Sequence, residues 1–371
     1  MWQYHNPVRI QFGVGEFDNL AKIIGNRRYG LVTYPEAFFD GLCERLQSQA
    51  GSPVILIRDV QANPDYEQLA QQVARIAENE TPEVWVSLGG GSVIDSVKVF
   101  AAANGDFENV KRYLETGVGA DQLSATPIIA VPTTAGTGSE VTCWATVWDK
   151  ATGRKHSLAR TSLYPEIALI DPELMCSKPL GLTVSTGLDA LSHALESLWN
   201  VNANPISAAH AVSGAREVLD VLPRLVNDLE NVELRSSMAR ASLCAGLAFS
   251  NTKTAIAHSL SYPITLKYNV QHGIACSFSL PIVIESVIGI GGLCEASLNS
   301  IFDGDLSDAS TRISHFLNSL GVSTKPADHG VENAVWAALV DGAFEGERGK
   351  NFIGEKQKFL KAAEALGAVA A

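Results

Sequence analysis

The chain has 371 residues, of which 46% are hydrophobic and 18% are charged, and its formal net charge is −12. This length exceeds what one hydrophobic core usually supports, so we expect two domains. The acidic balance argues against a nucleic-acid or anionic-membrane surface, because either partner would need a basic patch. The composition therefore favours a protein that acts on small molecules.

The sequence predicts a cytoplasmic protein. The N-terminus "MWQYHNPVRIQFG" lacks the basic start and apolar core of a signal peptide, and the longest apolar run, "LPIVIESVIGIGGL", is interrupted by Glu285 and is too short to span a bilayer. The six cysteines are scattered without a CxxC pair, which is typical of reduced thiols. We expect neither a membrane nor a nucleic-acid partner.

Short β-type runs alternate with helical stretches from Tyr29 to about Asp171. In chain order they are "YGLVTY", "FDGLCERLQSQ", "PVILIRDV", "YEQLAQQVARIAEN", "EVWVSLGGGS", "VIDSVKVFAAAN" and "TPIIAVPTT". This alternation is typical of βαβ units and predicts a parallel sheet covered by helices. Before it, "FGVGEFDNLAKI" is expected to form a turn that closes an N-terminal hairpin.

After "IALIDPEL" the strand signals nearly vanish and the apolar spacing becomes helical, as in Leu188, Leu191, Leu195 and Leu198. Further helical patterns run through "PISAAHAVSGAREVLDVLPRLV" and "VELRSSMARASLCAGLAFS". Proline and glycine in "CSKPLGL" mark the change. We predict an α/β domain over residues 1–178 and an all-helical domain over residues 179–371.

A glycine loop separates a buried-type strand from a helix, and its residues are Gly89, Gly90, Gly91 and Ser92. Glycines let the backbone approach a ligand closely, and a helix N-terminus attracts an anion such as a pyrophosphate. The pattern is neither GxGxxG nor a Walker loop, so a plain strand-to-helix turn is an equally good explanation.

A second loop, "AVPTTAGTGSEVT", follows the strand that ends at Pro132. Its candidate ligand-binding residues are Thr133, Thr134, Gly136, Thr137 and Ser139. Open α/β sheets bind their ligands at the carboxyl ends of parallel strands. Loop flexibility would explain the glycines but not four hydroxyl groups.

A carboxylate and three imidazoles form a candidate metal site. Asp189 and His193 lie four residues apart on one helix face, which Glu196 shares, and they could chelate an ion or form a solvated hydrogen bond. His258 lies among small and apolar residues, and His272 precedes a glycine. A core histidine bonded to a backbone carbonyl is the alternative for each. As a set they predict a divalent site, Fe²⁺ or Zn²⁺, with positions open for substrate.

In this order and at these separations, "GGGSVIDSVK", "PTTAGTGSEVT", "LIDPEL", "TGLDALSHALES" and "HSLSYPITLKYNVQHGIACSFSLP" resemble the iron-containing (group III) alcohol dehydrogenases. The resemblance runs from about Phe12 to about Pro281. It implies the dehydroquinate synthase-like fold, with a Rossmann-like α/β domain followed by an all-α domain. It also implies NAD(P)H, a divalent metal and assembly into homodimers or larger oligomers.

The resemblance assigns roles to the candidate residues. It implies that the metal ligands are Asp189, His193, His258 and His272, the last two at the catalytic centre. The glycine loop matches the family's pyrophosphate loop, and the hydroxyl loop matches the residues along the nicotinamide and its phosphates.

Two positions depart from the family pattern. Tyr262 stands where the family usually has a second histidine, and we expect it to position substrate. Tyr34 stands where NAD-preferring members have an aspartate that repels a 2′-phosphate, which leaves the choice between NADH and NADPH open.

The predicted function is a metal-dependent alcohol dehydrogenase that works as an aldehyde reductase. "HSLSYPIT" and "HGIACSFSLP" are similar to the branch associated with phosphonate metabolism, which reduces phosphonoacetaldehyde to 2-hydroxyethylphosphonate. Candidate cations for the phosphonate are Lys253, Arg154 and Lys155. The alternatives are a general short-chain alcohol or glycerol-like polyol dehydrogenase, a dehydroquinate synthase-like lyase, and a metal-dependent regulatory protein on an enzyme scaffold.

Overall fold

The computed structural model describes residues 1–152 and 154–368. Its contacts divide the chain into two compact units. The first, here called the α/β unit, contains Asn6–Thr134 and Ser139–Met175. The second, here called the helical unit, contains Met1–His5, Ala135–Gly138 and the chain from Cys176 onward.

Eight strands lie in the described part of the α/β unit. They are β1 (Arg9–Phe12), β2 (Tyr29–Val32), β3 (Ile55–Ile57), β4 (Val84–Gly89), β5 (Ile128–Pro132), β6 (Trp144–Asp149), β7 (Arg154–Ala159) and β8 (Ile167–Ile170). Six of them form a parallel sheet in the order β1-β8-β5-β4-β2-β3, and β6 and β7 form an antiparallel pair. The predicted parallel sheet is confirmed.

Helices connect these strands, and they are α1 (Leu20–Ile24), α2 (Ala37–Ala50), α3 (Tyr66–Ala77), α4 (Gly91–Ala103) and α5 (Phe107–Thr116). Successive residues of one strand, such as Leu31 and Val32, belong to two different hydrophobic clusters. Since side chains alternate across a strand, each cluster covers one face of the sheet. Burial on both faces explains why β4 and β5 are apolar apart from Ser87 on β4.

The predicted N-terminal hairpin is wrong. β1 pairs in parallel with β8, with Arg9 opposite Ile167. The backbone N–H groups of Gly15 and Phe17 donate to the carboxylate of Asp171, at 3.2 and 3.0 Å. The partner of this turn therefore lies at the end of β8, and a local pattern contains no information about it.

Ten helices lie in the described part of the helical unit. They are α6 (Leu180–Glu196), α7 (Pro205–Leu225), α8 (Val232–Thr252), α9 (Ile256–Tyr268), α10 (His272–Ser277), α11 (Leu280–Val287), α12 (Gly292–Ile301), α13 (Ala309–Ser319), α14 (Asn333–Glu345) and α15 (Lys356–Ala365). None of the described helices is both long and apolar enough to cross a membrane.

The second half of α6 is buried on all sides, from Gly187 to Glu196. A helix in this position lies at the centre of a core, so every ionisable side chain on it needs a partner. Two carboxylates and one imidazole of α6 lie in this buried half. The candidate site is built around them.

Candidate functional site

Three helices of the helical unit each contribute two neighbouring side chains at a spacing of four residues. The pairs are Asp189 and His193 on α6, His258 and Tyr262 on α9, and His272 and Cys276 on α10. This spacing places both members of a pair on one helix face. The faces of the three helices meet in the core.

All three candidate imidazoles converge on one oxygen, Oδ1 of Asp189. Its distance to Nε2 is 3.4 Å for His258, 3.8 Å for His193 and 4.0 Å for His272. The side chains of Asp189, His193 and His258 are at most 7% exposed, whereas that of His272 is 33% exposed. Within this unit, the centre is therefore accessible on the side of His272.

Hydrogen bonds fix the orientation of two of these rings. Nδ1 of His258 lies 2.6 Å from Oε2 of Glu196, and Nδ1 of His193 lies 3.3 Å from the backbone oxygen of Gly136. Both oxygens only accept, so each Nδ1 carries a proton. In a neutral ring, the lone pair is then on Nε2, which faces Asp189. This arrangement, with an acceptor behind the imidazole, is typical of metal-binding histidines.

The site is suited to a cation at its centre. Asp189 Oδ1 and His258 Nε2 are both buried, and neither has a hydrogen-bond partner in the structure. A proton between these two atoms would satisfy only these two. The two other imidazoles approach the same oxygen, and a divalent ion can use all four atoms at once. The residues present therefore fit a divalent metal ion.

The electrostatics of the centre follow from burial and from the neighbouring charges. Burial, aided by His258, lowers the pKa of His193 to about 4 despite the attraction of Asp189, so its ring is neutral at pH 7. Burial would raise the pKa of Asp189, but His193, His258 and His272 hold it below its usual range. Burial would lower the pKa of His258, but Cys276, Glu196 and Asp189 hold it well above its usual range. A positive charge is thus favoured between Asp189 and His258.

Aromatic rings line the centre. Phe249 stacks on His193 with ring centroids 4.0 Å apart, and Tyr262 lies parallel to His272 with centroids 6.0 Å apart. The guanidinium of Arg348 lies over the Tyr262 ring, 5.4 Å from its centroid, and donates a short hydrogen bond to Thr254. A tyrosine and an arginine therefore follow His272 on the accessible side.

The glycine loop lies in the α/β unit, between β4 and α4. A Cβ on Gly89 would lie 2.5 Å from the Val93 side chain, and one on Gly90 would lie 3.1 Å from the Thr134 hydroxyl and 3.8 Å from that of Tyr34. Tyr34 also forms a hydrogen bond with Ser92. The structure thus brings five predicted cofactor residues together at one edge of the sheet, namely Gly89, Gly90, Ser92, Thr134 and Tyr34.

The hydroxyl loop is divided between the two units. Thr133, Thr134 and Ser139 belong to the α/β unit, and Gly136 and Thr137 belong to the helical unit. The hydroxyl of Thr133 is buried without a hydrogen-bond partner in the structure. It is free to accept or donate a hydrogen bond to a ligand.

Ser139 joins a buried ionic network that the sequence analysis missed. Its hydroxyl donates to Asp95 at 2.5 Å and accepts from Lys98 at 2.9 Å. Lys98 is fully buried, and burial lowers its pKa to about 8 despite the attraction of Asp95. The motif "GGGSVIDSVK" contains both residues, so its spacing carried a signal for this network.

The candidate cations belong to different units. Lys253 is exposed at the end of α8 with a positive φ of 64°. Arg154 and Lys155 lie on β7 in the α/β unit, where Lys155 lies over the Trp148 ring. The residues at the centre to which the sequence analysis gave no role are Glu196, which it placed only on the face of Asp189 and His193, Cys276 and Arg348. The first two had a signal in their spacing from Asp189 and His272, whereas Arg348 had none.

Comparison with known families covers both units. The sequence profile described as iron-containing alcohol dehydrogenase matches residues 7–172, and the profile described as Fe-containing alcohol dehydrogenase family, C-terminal, matches residues 183–358. Together they span most of the chain.

Three individual proteins illustrate the similarity. The NAD-dependent methanol dehydrogenase of Bacillus methanolicus is 36% identical over 266 residues, which are 70% of this chain and 68% of that protein. The phosphonoacetaldehyde reductase of Streptomyces viridochromogenes is 34% identical over 230 residues, which are 60% of this chain and 57% of that protein. The crystal structure of sulfoacetaldehyde reductase from Bifidobacterium kashiwanohense in complex with NAD⁺ superposes with a TM-score of 0.91 at 30% identity, over 100% of both chains.

Proposed function

Because the chain belongs to the iron-containing alcohol dehydrogenase family, we propose that this oxidoreductase reduces a short aldehyde that carries a phosphonate or sulfonate group. The reaction consumes one aldehyde, one reduced nicotinamide dinucleotide and one proton, and it yields the alcohol and the oxidised dinucleotide. The observation that carries the proposal is the convergence of three imidazoles on the buried, unpartnered Oδ1 of Asp189.

In this proposal, the metal ligands are Asp189, His193, His258 and His272. Glu196 and the Gly136 carbonyl hold the rings of His258 and His193 with their Nε2 lone pairs inward. A divalent ion held by these residues would supply Lewis-acid chemistry to a carbonyl oxygen, and a bound reduced dinucleotide would supply the hydride. The open side at His272 admits the aldehyde.

The dinucleotide is proposed to bind at the loops of the α/β unit. Gly89, Gly90, Gly91 and Ser92 precede α4, whose first turn offers backbone N–H groups to a pyrophosphate. The buried hydroxyl of Thr133 provides a hydrogen bond beside them. With the phenol of Tyr34 here in place of a carboxylate, nothing at that position repels a 2′-phosphate, so both NADH and NADPH are accepted.

Tyr262 is proposed to position the substrate. Its ring lies parallel to His272 on the accessible side of the centre, one helical turn beyond His258. A phenol ordinarily titrates near pH ~10 and donates a hydrogen bond at neutral pH. The proton that completes the alcohol then arrives through water or the nicotinamide ribose.

The anionic group of the substrate is proposed to bind Arg348. In a chain with a net charge of −12, an anionic substrate needs a local cation. Within the described residues, Arg348 contacts Tyr262 and Thr254 and forms no ion pair with a carboxylate. Its remaining N–H groups can form bidentate hydrogen bonds with a phosphonate or sulfonate.

The test compares kcat/KM for phosphonoacetaldehyde, sulfoacetaldehyde, acetaldehyde, lactaldehyde and glyceraldehyde, using Fe²⁺-loaded protein with NADH and with NADPH. We expect the two anionic aldehydes to be preferred. Arg348→Met should raise KM for them at least about tenfold, the equivalent of one charge-assisted hydrogen bond, and change acetaldehyde little. Lys350→Met removes the same charge from an exposed position and is the matched control.

Equal use of acetaldehyde and the anionic aldehydes would instead favour a general short-chain alcohol or polyol dehydrogenase. If Lys253→Gly or a substitution at Arg154 or Lys155 raises KM for the anionic aldehydes, and Arg348→Met does not, the anion site lies at those residues and not at Arg348. A cytoplasmic location and a homo-oligomeric assembly complete the proposal, and fractionation and light scattering test them.

A further inference from the structure

The chain between α8 and α9 is held in one conformation beside the proposed anion site. Lys253, at the end of α8, has a positive φ of 64°, which a residue with a side chain adopts only where its surroundings require it. Its backbone oxygen accepts from Nδ2 of Asn200 at 3.1 Å, and that of Thr254 accepts from Nδ2 of Asn351 at 2.9 Å. Two asparagine side chains therefore fix where Thr254 lies.

The backbone that carries Arg348 is equally fixed. Gly349, the next residue, lies so close to the end of α14 that an added Cβ would be 1.9 Å from the backbone oxygen of Ala343. Asn351, in the same turn, is the residue that holds the backbone of Thr254. The main chains of Arg348 and Thr254 are therefore held at a set separation, and only the orientation of the guanidinium remains to be determined.

Two contacts fix the plane of the Arg348 guanidinium. Its face lies over the Tyr262 ring, 5.4 Å from the centroid, and its Nη1 donates a short hydrogen bond to the Thr254 hydroxyl. Thr254 is only 2% exposed, so water competes little for this hydroxyl. One contact on the face and one on the edge leave a planar group little freedom to rotate. The remaining N–H groups then point in a constant direction.

An oriented guanidinium binds an oxyanion better than a mobile one. A free arginine side chain has many rotamers, and binding costs free energy when that freedom is lost. Where the surrounding protein has already restricted the side chain, this entropic cost is smaller. A phosphonate or sulfonate uses two parallel hydrogen bonds from the planar group, so the direction of the group matters. A neutral aldehyde makes neither bond and gains nothing from the restriction.

We propose that Thr254 is a positioning residue for Arg348 and thereby determines how strongly the protein prefers anionic over neutral aldehydes. The inference rests on the proposed function, in which Arg348 binds the anionic group. The Thr254 hydroxyl acts only as an acceptor for Nη1 and takes part in no covalent step. Its removal should weaken binding of the anionic group and leave the reacting carbonyl unaffected.

The test compares Thr254→Val, which removes the hydroxyl at nearly constant volume, with Thr254→Ser, which keeps it. KM and kcat are measured for phosphonoacetaldehyde and acetaldehyde with Fe²⁺-loaded protein, and calorimetry gives Kd for 2-hydroxyethylphosphonate without turnover. We expect Thr254→Val to raise KM and Kd for the phosphonates about three- to tenfold, the equivalent of one hydrogen bond, and to change acetaldehyde less than about twofold. Thr254→Ser should resemble the wild type.

A matched control and a double-mutant cycle separate positioning from a structural role. Thr265→Val on α9 is the control, because the Thr265 hydroxyl is buried without a hydrogen-bond partner among the described residues, and it should leave every constant unchanged. In the Arg348→Met background, Thr254→Val should have no further effect on the phosphonates, because the group that Thr254 orients is gone.

Additive effects of the two substitutions, or an equal rise in KM for acetaldehyde, would overturn the inference, because either result indicates a general structural role. An unchanged KM in Thr254→Val, while Arg348→Met loses the preference, overturns the inference and leaves the proposed function in place. A wild-type protein without preference for anionic aldehydes overturns the proposed function and the inference with it. If Thr254→Val does not fold, Thr254→Ala removes the same hydroxyl and takes its place in the comparison.

Discussion

At the scale of single residues, Glu196 connects the backbone of α9 to the metal centre. Its Oε1 accepts from the backbone N–H groups of Ala257 and His258, at 2.5 and 3.2 Å, and its Oε2 holds Nδ1 of His258. In Glu196→Gln, the side-chain NH₂ group faces one of these N–H donors and cannot accept a hydrogen bond from it. His258 therefore loses its fixed orientation. We expect metal affinity to fall about 10- to 100-fold, as for other partners of metal-binding histidines.

Competition with a chelator, followed by metal analysis, measures this affinity. Glu233→Gln, at an exposed position in the first turn of α8, is the control and should bind metal normally. Unchanged affinity in Glu196→Gln would show that the ring of His258 is held by packing alone.

Also at the residue scale, Glu140 should make stability depend on pH. It is buried in the α/β unit, and burial raises its pKa to about 7, although a backbone hydrogen bond and Lys98 partly oppose the shift. The unfolded value is near 4.5, so the folded state binds more protons between these limits. The stability attributable to Glu140 is therefore present below pH ~4.5 and is lost as the pH rises to ~7.

Glu140→Gln removes this ionisation. The variant should be more stable than the wild type at pH 8, by about 1–3 kcal/mol, with a smaller difference or none at pH 5. Thermal unfolding at the two pH values provides the comparison. An equal change in Tm at both pH values would exclude titration of Glu140 as the cause.

At the scale of elements, the close approach of α10 to α6 positions His272. The second residue of α10 is Gly273, and a Cβ there would lie 1.8 Å from the backbone oxygen of Ser185 on α6. Gly273→Ala therefore forces the two helices apart. We expect a loss of stability of about 3 kcal/mol or more, together with loss of metal.

Gly181→Ala on α6 is the matched control, because nothing lies within 4 Å of its added Cβ. Alanine favours helix over glycine, so this variant should be neutral or slightly stabilised. Urea unfolding and metal content distinguish the two variants. Normal metal content in Gly273→Ala would mean that α10 can shift without moving His272 from the centre.

At the scale of the whole molecule, the proposed metal ligands belong to the helical unit and the proposed pyrophosphate loop belongs to the α/β unit, and the two units have separate hydrophobic clusters. His258→Ala removes a proposed ligand from the helical unit and should abolish metal retention without changing NADH affinity. Gly90→Val fills the pyrophosphate loop and should weaken NADH binding while the metal stays bound. Nucleotide titration and elemental analysis of both variants test this division. Full metal occupancy in His258→Ala would contradict the ligand assignment.

The sequence by itself determined the features that depend on local spacing. Alternating strand and helix patterns predicted the parallel sheet. The change to purely helical apolar spacing near "CSKPLGL" predicted the helical part of the fold. Combined with the motifs, they indicated the family, its oxidoreductase class and its metal and nicotinamide cofactors, which family membership confirms. Side chains four residues apart must share a helix face, so the spacing also identified Asp189 and His193 as a possible pair.

Only the tertiary structure decided how distant segments meet. Asp171 at the end of β8 holds the turn after β1, which is why the local turn signals gave a hairpin that does not exist. The packing of α6 against α9 places Glu196 behind His258, and the chain after α14 places Arg348 over Tyr262. These contacts join residues far apart along the chain, and they exist only because burial of the apolar faces brings the helices together. Local spacing fixes which side chains share a face, whereas packing fixes which faces share a site.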